Sequence, residues 1–350
     1  MKPNLAYLNW VLNRLTVRQR PSLDEVATRS WELCPATTET SRPAIFLDDA
    51  LERITGYTPW GSEANEMERV RGGTGEHAAT VAYMLENVRI SGPMLYRGAF
   101  KARHGFGPEQ PFADLPRHDS LDEVHLVSNY AGSLFFGSFL IDIAVEMLPG
   151  DGDHAIGMVT NDYGHEAEYR RMLSLPRPPR AGNTAVGKLV LYSDFAQNGL
   201  KEERYRELRR RLRTHFQDVP DKPAGVYLKR GVTGERRVVE NEAEIEAALT
   251  ARGYDIVEPA VLGADEVTRR CLDAPVVVSV EGSHLSHAIY SLADDGAYVV
   301  LQPPDRFAMP YKEVADRLDQ RFAFEVGTPA EGGFTVEPDR LQRLLDRLGV

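Results

Sequence analysis

In the second half of the chain, short and mostly apolar runs alternate with stretches of helical periodicity. Such runs predict strands that are buried on both faces of a sheet. They lie at residues 225–228, 254–257, 274–280 and 298–301. The intervals are helical, and Asn241 with Glu244 has the spacing of a capping box at the start of the first helix, which Gly253 is expected to end. Strands that alternate with helices predict a parallel sheet.

The same alternation occurs earlier in the chain. The predicted strands are residues 124–127, 155–159 and 189–192, and the predicted helices are 134–148, 167–173 and 201–216. In the last helix an apolar stripe is flanked by basic residues, Lys201 and Arg204 among them, which are expected to form a solvated face. The predicted fold class is therefore α/β, with two Rossmann-like halves facing across a cleft.

Composition changes along the chain predict the domain boundaries. The Pro- and Thr-containing residues 1–61 are expected to be an irregular extension, and the Pro- and Asp-rich residues 217–223 an interdomain linker. The two Rossmann-like halves are placed at 62–216 and 224–307, and a helical segment at 308–350. Pro338 begins the final helix and Gly349 ends it.

Charge and cysteine content restrict the classes of partner and the cellular compartment that the sequence favours. The net charge of −11 argues against nucleic acid as a partner, so an anion site must be a local basic pocket. Two distant cysteines, Cys34 and Cys271, indicate neither a disulfide framework nor structural zinc and favour a cytoplasmic protein. The most apolar stretch, residues 134–148, is too short to cross a membrane, so no transmembrane segment is expected.

One loop stands out as a candidate anion site. Glu281-Gly282-Ser283-His284 follows the strand that ends at Val280 and leads into a predicted helix at 283–292. Ligands bind at the carboxyl ends of parallel strands, where helix N-termini attract anions. Gly282 permits close approach of the backbone, and Ser283 can cap the helix or bind a phosphate oxygen. The alternative is an ordinary helix cap.

A basic cluster follows the first strand of the same half. Arg230 comes directly after this strand, and Arg236 and Arg237 follow a few residues later. Guanidinium groups form bidentate hydrogen bonds with phosphate and offset the negative charge of a departing diphosphate. The alternative is a β-turn with solvated arginines.

The apolar helix at 134–148 carries its polar residues Ser138, Asp142 and Glu146 at intervals of four. Their stripe either offers Asp142 as a general base or is a solvent face. Asp151 and Asp153 match the metal-binding DxD pattern of sugar transferases but precede a strand, which indicates a polar turn. His284 and His287 lack a third metal ligand. No metal or cofactor is expected.

The order of several segments between Gly225 and Arg306 resembles the C-terminal region of glycosyltransferase family 61. These segments are VYLKRG, GERRVVENEAEIEAAL, ARGYDIVEPAVLGADEV, APVVVSVEGSHLSHAIYSL and AYVVLQPPDRF. Residues 129–142 and 193–198 are similar to the family's N-terminal half, so the resemblance covers roughly residues 124–306. One departure is Ser138, which stands where many members have a histidine.

The resemblance implies a GT-B fold and an inverting, metal-independent transfer of a hexosyl or pentosyl group from a nucleotide sugar to a glycan or other hydroxyl acceptor, as in polysaccharide biosynthesis. It implies that the C-terminal half binds most of the donor. The predicted donor-binding residues are Arg230, Arg237, Glu281, Gly282, Ser283 and His284. The predicted catalytic residues are Asp142 as the base, since Ser138 replaces the histidine, and His284.

Two other classes of function remain open from the residues. A nucleotide-sugar epimerase or hydrolase would use the same phosphate loop, and a non-enzymatic binder would keep Arg230 and the Gly282 loop without a base. A nicotinamide oxidoreductase is disfavoured because no GxGxxG segment follows a predicted strand.

Overall fold

The computed structural model describes residues 4–111, 119–216, 222–231 and 237–350, with Asp119 described by its backbone alone. Arg236 and most of the predicted linker therefore lie outside the described residues. The α-helices are α1 (Leu5–Thr16), α2 (Leu23–Val26), α3 (Glu63–Arg71), α4 (Tyr130–Leu134), α5 (Phe136–Asp142), α6 (Glu166–Met172), α7 (Gly199–His215), α8 (Glu242–Ala251), α9 (Ala264–Cys271), α10 (Pro310–Arg317) and α11 (Pro338–Leu348). Short 3-10 helices lie at Leu51–Arg53, Ile143–Met147 and Ser283–Ala288.

The strands are β1 (Arg29–Cys34), β2 (Thr37–Ser41), β3 (Gly73–His77), β4 (Thr80–Ser91), β5 (Met94–Arg97), β6 (Phe100–Arg103), β7 (Asp119–Leu126), β8 (Ala155–Ile156), β9 (Thr184–Ser193), β10 (Gly225–Leu228), β11 (Tyr254–Val257), β12 (Val276–Val280), β13 (Ala297–Gln302), β14 (Arg321–Val326), β15 (Thr328–Ala330) and β16 (Gly333–Thr335). This mixture confirms the predicted α/β class. Residues 4–61 hold α1, α2 and two strands, where the sequence predicts an irregular extension.

The chain forms two compact units that interleave along the sequence. The first unit takes the described residues within 1–37, 77–164 and 175–204, and the second takes those within 38–76, 165–174 and 205–350. The domains predicted above are contiguous, whereas these two units are not. Interleaving arises because distant segments, such as the one that carries α6, pack with the second unit.

The sheet of the first unit is mixed, not all parallel. Its order is β6-β5-β4-β9-β7-β8, with β1 paired to β4. The three predicted strands, in β7, β8 and β9, are parallel as expected, but β4 to β6 form an antiparallel meander that joins β9. Two-residue loops at 92–93 and 98–99 connect these strands, and connections this short permit only antiparallel neighbours.

The predicted helix at 134–148 is broken into pieces. Phe135 has extended dihedral angles and separates α4 from α5, and a 3-10 turn at Ile143–Met147 follows. Gly and Ser recur through residues 132–138 and lower helix propensity, so the apolar content overstates the helix. Among the described residues, no helix is long and apolar enough to cross a membrane.

A buried ion cluster holds the start of α7 to the first unit and corrects the expectation of a solvated basic face. Arg204 donates to both carboxylate oxygens of Asp194, at 2.9 and 2.7 Å, and Lys201 lies 2.8 Å from the same carboxylate. All three side chains are 5 % exposed or less. These basic groups keep the pKa of Asp194 below its usual value, against the opposing effect of burial.

Removing one member of this cluster is expected to destabilise the first unit. Arg204→Met leaves the buried Asp194 carboxylate with fewer compensating donors, and the expected loss is about 3 kcal/mol in the free energy of unfolding. Arg206→Met, which removes a half-exposed arginine paired with Asp319, is the matched control and should change stability by less than about 1 kcal/mol. Thermal unfolding of both variants measures the difference, and equal melting temperatures would contradict the expectation.

The sheet of the second unit is parallel throughout, with order β11-β10-β12-β13-β14. Its strands are buried on both faces, and their core residues pack with helices α8 and α11. If the five strands are numbered in chain order, their order across the sheet is 2-1-3-4-5. The direction of winding therefore reverses between β10 and β12. Such a reversal leaves a crevice at the carboxyl ends of the two strands, where doubly wound sheets bind ligands.

Two details of this unit differ from the expectations. The segment predicted to be helical at 308–350 contributes β14 to the sheet, because Phe322 and Phe324 are buried there. Asn241 does not cap α8: its Oδ1 accepts from the Val336 N–H and its Nδ2 donates to the Val336 carbonyl. The side-chain amide of Asn241 thus bonds a distant backbone segment and not the N–H groups at the start of α8.

Candidate functional site

The carboxyl end of β10 presents Arg230 at the switch point. Lys229, the preceding residue, is held by an ion pair of 2.7 Å to Glu246 on α8. Arg230 follows, and its Nη1 donates to the main-chain oxygen of Glu281 at 3.2 Å. The loop after β12 supplies this oxygen, so the loops that follow the two strands flanking the reversal are in direct contact.

Arg237 joins Arg230 at the same oxygen. Its Nη1 donates to the main-chain oxygen of Glu281 at 3.1 Å and lies 2.9 Å from Glu281 Oε2. The side chains of Arg237 and Glu281 are 10 % and 7 % exposed. Together the two guanidinium groups and the one carboxylate carry a net positive charge, which favours an anion at this edge of the sheet.

Gly282 is required for this convergence. Its φ of 150° and ψ of 176° belong to a region that only glycine adopts readily. A Cβ atom built at this position would overlap the Arg230 guanidinium and lie 2.9 Å from Nη1 of Arg237. The two arginines therefore pack on the face of the loop that a side chain would otherwise fill.

His284 is anchored to the sheet beside the arginines. Its Nε2 lies 2.6 Å from Oγ of Ser279, and this hydroxyl also contacts the carbonyl of Leu228 on β10. Burial lowers the pKa of His284 well below its ordinary value, and the positive charges of Arg230 and Arg237 lower it further. The imidazole is thus neutral and ties β12 to β10 at the switch point.

The loop continues into a single 3-10 helix at Ser283–Ala288, where the sequence predicts a longer α-helix. Its hydrogen bonds run from Leu285 to Gly282 and from Ile289 to Ser286, so the turn is too tight for α-helix. No side chain caps it, which corrects the predicted capping role of Ser283. The carbonyl of Ser283 instead accepts from the hydroxyl of Ser286 at 2.6 Å.

A buried hydrogen-bond chain supports this turn from below. The Tyr169 hydroxyl lies 2.6 Å from Nδ1 of His287 and accepts from Thr268 at 3.2 Å. Burial lowers the pKa of His287 to about 3, so its ring is neutral. Since Thr268 donates to the tyrosine oxygen, the tyrosine proton is directed to His287. His287 thereby has its Nδ1 engaged in a hydrogen bond that supports the loop.

Asp142 lies at the end of α5 in the first unit and is half-buried. Burial raises the pKa of its carboxyl to about 6, while Lys201 and a hydrogen bond from Asn129 act in the opposite direction. The amide oxygen of Asn129 accepts from the Gly132 N–H at 2.7 Å, which fixes the amide at the start of α4. A carboxyl with a pKa near neutrality is suited to accept a proton in catalysis.

The other polar candidates of the first unit have structural surroundings. Ser138 and Glu146 are half-buried like Asp142. Asp151 lies in the turn before β8, as predicted, and Asp153 accepts from the Gly150 N–H at 2.7 Å. Cys34 and Cys271 are free thiols. Within the described ranges, no group of three or more His, Cys, Asp or Glu side chains is placed to hold a metal ion.

Three residues that shape the switch point are not among the predicted site residues: Ser279, Tyr169 and Tyr311. Ser279 is the one polar residue inside the run 276–280, and this interruption is a signal that could have found it. Tyr311 is buried, and its interaction with Glu281 and hydrogen bond to Ser286 place it beside the loop. Tyr169 carries no such signal, because it comes from a helix distant in sequence.

A family model described as glycosyltransferase 61 matches residues 46–300. The chain belongs to glycosyltransferase family 61. The match covers more than two thirds of the chain and extends the resemblance toward the N-terminus, where it was expected to begin near residue 124. It includes the proposed base Asp142 and the switch-point residues Arg230, Arg237 and Gly282. No curated protein matches the chain. The protein is therefore a glycosyltransferase that acts on a sugar donor and an acceptor.

Proposed function

We propose that the protein transfers a hexosyl or pentosyl group from a nucleotide sugar to a hydroxyl of a glycan or another acceptor, with inversion and without a metal ion. The observation that carries this proposal is the meeting of Arg230 and Arg237 over Gly282 at the switch point of the second unit. A parallel sheet with this strand order binds nucleotides at such a point. Family membership supplies the reaction class.

The donor diphosphate is assigned to the two arginines. When the bond between the sugar and the diphosphate breaks, its electron pair and the negative charge pass to the phosphate oxygen. A guanidinium group donates two parallel hydrogen bonds to such oxygens and is not deprotonated at physiological pH. Arg230 and Arg237 are therefore proposed to bind the donor and to stabilise the departing nucleoside diphosphate.

The acceptor proton is assigned to Asp142. In an inverting transfer the acceptor oxygen forms its bond to the anomeric carbon as the diphosphate leaves, and its proton passes to a base. The Asp142 carboxyl, with a pKa of about 6, is ionised at neutral pH yet basic enough to take this proton. His284 is proposed to bind the donor as a neutral side chain, because burial and then the nearby arginines lower its pKa.

Mass spectrometry of reaction products tests the proposed function. The enzyme is incubated with UDP-, GDP-, CMP- and dTDP-sugars in the presence of oligosaccharide acceptors. The proposal predicts that the acceptor gains one sugar residue and that one equivalent of free nucleotide is released. Free sugar alone would indicate a hydrolase, and an isomerised donor would indicate an epimerase.

Polysaccharide biosynthesis in the cytoplasm is the proposed setting, and the two free thiols support a reducing compartment.

Metal independence gives a separate prediction. Asp151 and Asp153 precede β8 and lie at its amino end, away from the edge where parallel strands bind ligands. We therefore expect initial rates to be unchanged by EDTA and Asp151→Asn to retain the wild-type rate within about twofold, since the side chain is an exposed turn residue. Loss of activity with EDTA that manganese restores would show that a divalent cation takes part.

A further inference from the structure

Helix α1 has one face packed on the first unit and a second, apolar face in solvent. The packed face carries Ala6, Tyr7 and Trp10 against Met94 and Tyr96 of β5. Leucines at positions 5, 8, 12 and 15 recur at the spacing of one helical face and are 61 %, 41 %, 56 % and 79 % exposed. Single exposed leucines are ordinary, but four in one line form a continuous apolar stripe.

The stripe is held in place, not left to fray. The side chain of Asn4 accepts from the N–H groups of Ala6 and Tyr7, which caps the start of α1. Nε1 of Trp10 donates to the carbonyl of Ala99 at 3.0 Å, and the ammonium of Lys101 lies 3.8 Å from the ring centroid of Trp10. The leucines therefore point outward from a helix whose opposite side is already occupied.

The charge of residues 4–23, the segment that carries the stripe, differs from that of the whole chain. The chain has 52 acidic residues, yet none occurs in this segment, which ends directly before Asp24 and Glu25 and whose charged residues are Arg14, Arg18 and Arg20. Arg18 and Arg20 are exposed just beyond the end of α1 and form no ion pair within the described part of the chain. A helix that combines an apolar face with flanking arginines has the chemistry of a helix that lies in the interface of an anionic membrane.

We propose that α1 docks the protein on a membrane surface that contains anionic lipids. The leucine stripe enters the boundary between headgroups and acyl chains, and Arg18 and Arg20 contact lipid phosphates. A second copy of the chain is the other occupant that an apolar face could take, but a self-complementary interface would present the same segment from both copies, and residues 4–23 offer the arginines no acidic partner. The charge pattern therefore favours the membrane.

Flotation of the intact protein with lipid vesicles tests this proposal independently of catalysis. Wild type should float with phosphatidylcholine vesicles that contain about 30 % phosphatidylglycerol and much less with pure phosphatidylcholine. Raising NaCl to about 0.5 M should weaken binding by screening the arginines. The double variant Leu8→Gln/Leu12→Gln should bind at least about tenfold more weakly, and Arg18→Gln/Arg20→Gln should lose the preference for anionic lipid. Val261→Gln, at an apolar position of the second unit that is more exposed than Leu8 and Leu12, is the matched control and should bind as wild type does.

Three results would overturn the proposal. They are failure of the wild type to float, equal flotation of the wild type and the leucine variant, and a concentration-dependent dimer in sedimentation that the leucine variant abolishes while vesicle binding is absent. Because the exposed substitutions leave the switch point untouched, turnover with a soluble acceptor should stay at the wild-type rate. A failed flotation experiment would thus leave the proposed transferase activity standing.

Discussion

Gly282→Val is expected to reduce donor-dependent turnover by at least about a hundredfold, the effect of losing charge-assisted hydrogen bonds to a phosphate. The added side chain would occupy the space that the Arg230 guanidinium now fills and would crowd Arg237 as well. Both arginines would have to give up their hydrogen bonds to the main-chain oxygen of Glu281, so the two guanidinium groups would no longer converge at this edge of the sheet. Initial rates at saturating acceptor and varied donor measure the effect.

Gly253→Val is the control for backbone strain. Gly253 also has a positive φ, of 80°, and lies in the second unit, but it precedes β11 at the amino edge of the sheet. We expect both valine variants to lose thermal stability and only the Gly282 variant to lose donor-dependent turnover. Equal rate losses in the two variants would mean that strain, and not the displacement of Arg230, lowers the activity.

Asp142→Asn is expected to lower kcat by about 10²- to 10⁴-fold, the usual contribution of a general base. Wild-type kcat should fall about tenfold per pH unit below pH 6, because protonation of a carboxyl with a pKa of about 6 removes the base. The asparagine variant should lack this acidic limb. Nucleotide binding should persist, since Asp142 is assigned no donor contact.

The thermal stability of the Asp142→Asn variant distinguishes a catalytic role of Asp142 from a structural one. Burial raises the pKa of Asp142 above its ordinary value of 3.8, so the folded protein holds this proton more tightly than the unfolded chain does. Stability due to Asp142 therefore declines as the pH rises from about 4 to about 6, and at neutral pH the asparagine variant should melt at a higher temperature than the wild type. Glu146→Gln, from the same polar stripe, is the matched control. A wild-type kcat in Asp142→Asn would remove this residue from the mechanism.

Ligand sites lie at the carboxyl ends of parallel strands, and this rule explains why Arg230 and the Gly282 loop could be assigned to one edge of a sheet from the sequence. Arg230 and Gly282 each follow a short buried strand, and strands of this kind are recognisable from four or five consecutive residues. Once both strands belong to one parallel sheet, their following loops must lie at one edge. The contact of Arg230 with the Glu281 carbonyl therefore follows from local patterns and a general rule of topology.

Elsewhere the determining contacts come from outside the helix that carries the side chain, and local patterns led to wrong expectations. The basic residues Lys201 and Arg204 look like a solvated face until Asp194 and the Ala144 carbonyl are placed beside them. Asn241 has the spacing of a helix cap, but the backbone of Val336, nearly a hundred residues away, takes its amide. Partners of this kind are fixed by tertiary packing, which periodicity does not report.

Calorimetric titration of a nucleoside diphosphate tests the central claim most directly. A thermal-shift panel of UDP, GDP and dTDP selects the nucleotide, because a bound ligand raises the melting temperature. The chosen nucleotide is then titrated into wild type, Arg230→Lys and Gly282→Val. Lysine keeps the charge but loses the paired guanidinium donors, so Arg230→Lys should weaken binding about ten- to a hundredfold and Gly282→Val at least as much. Unchanged affinity in both variants would contradict the account and would place the donor away from the switch point.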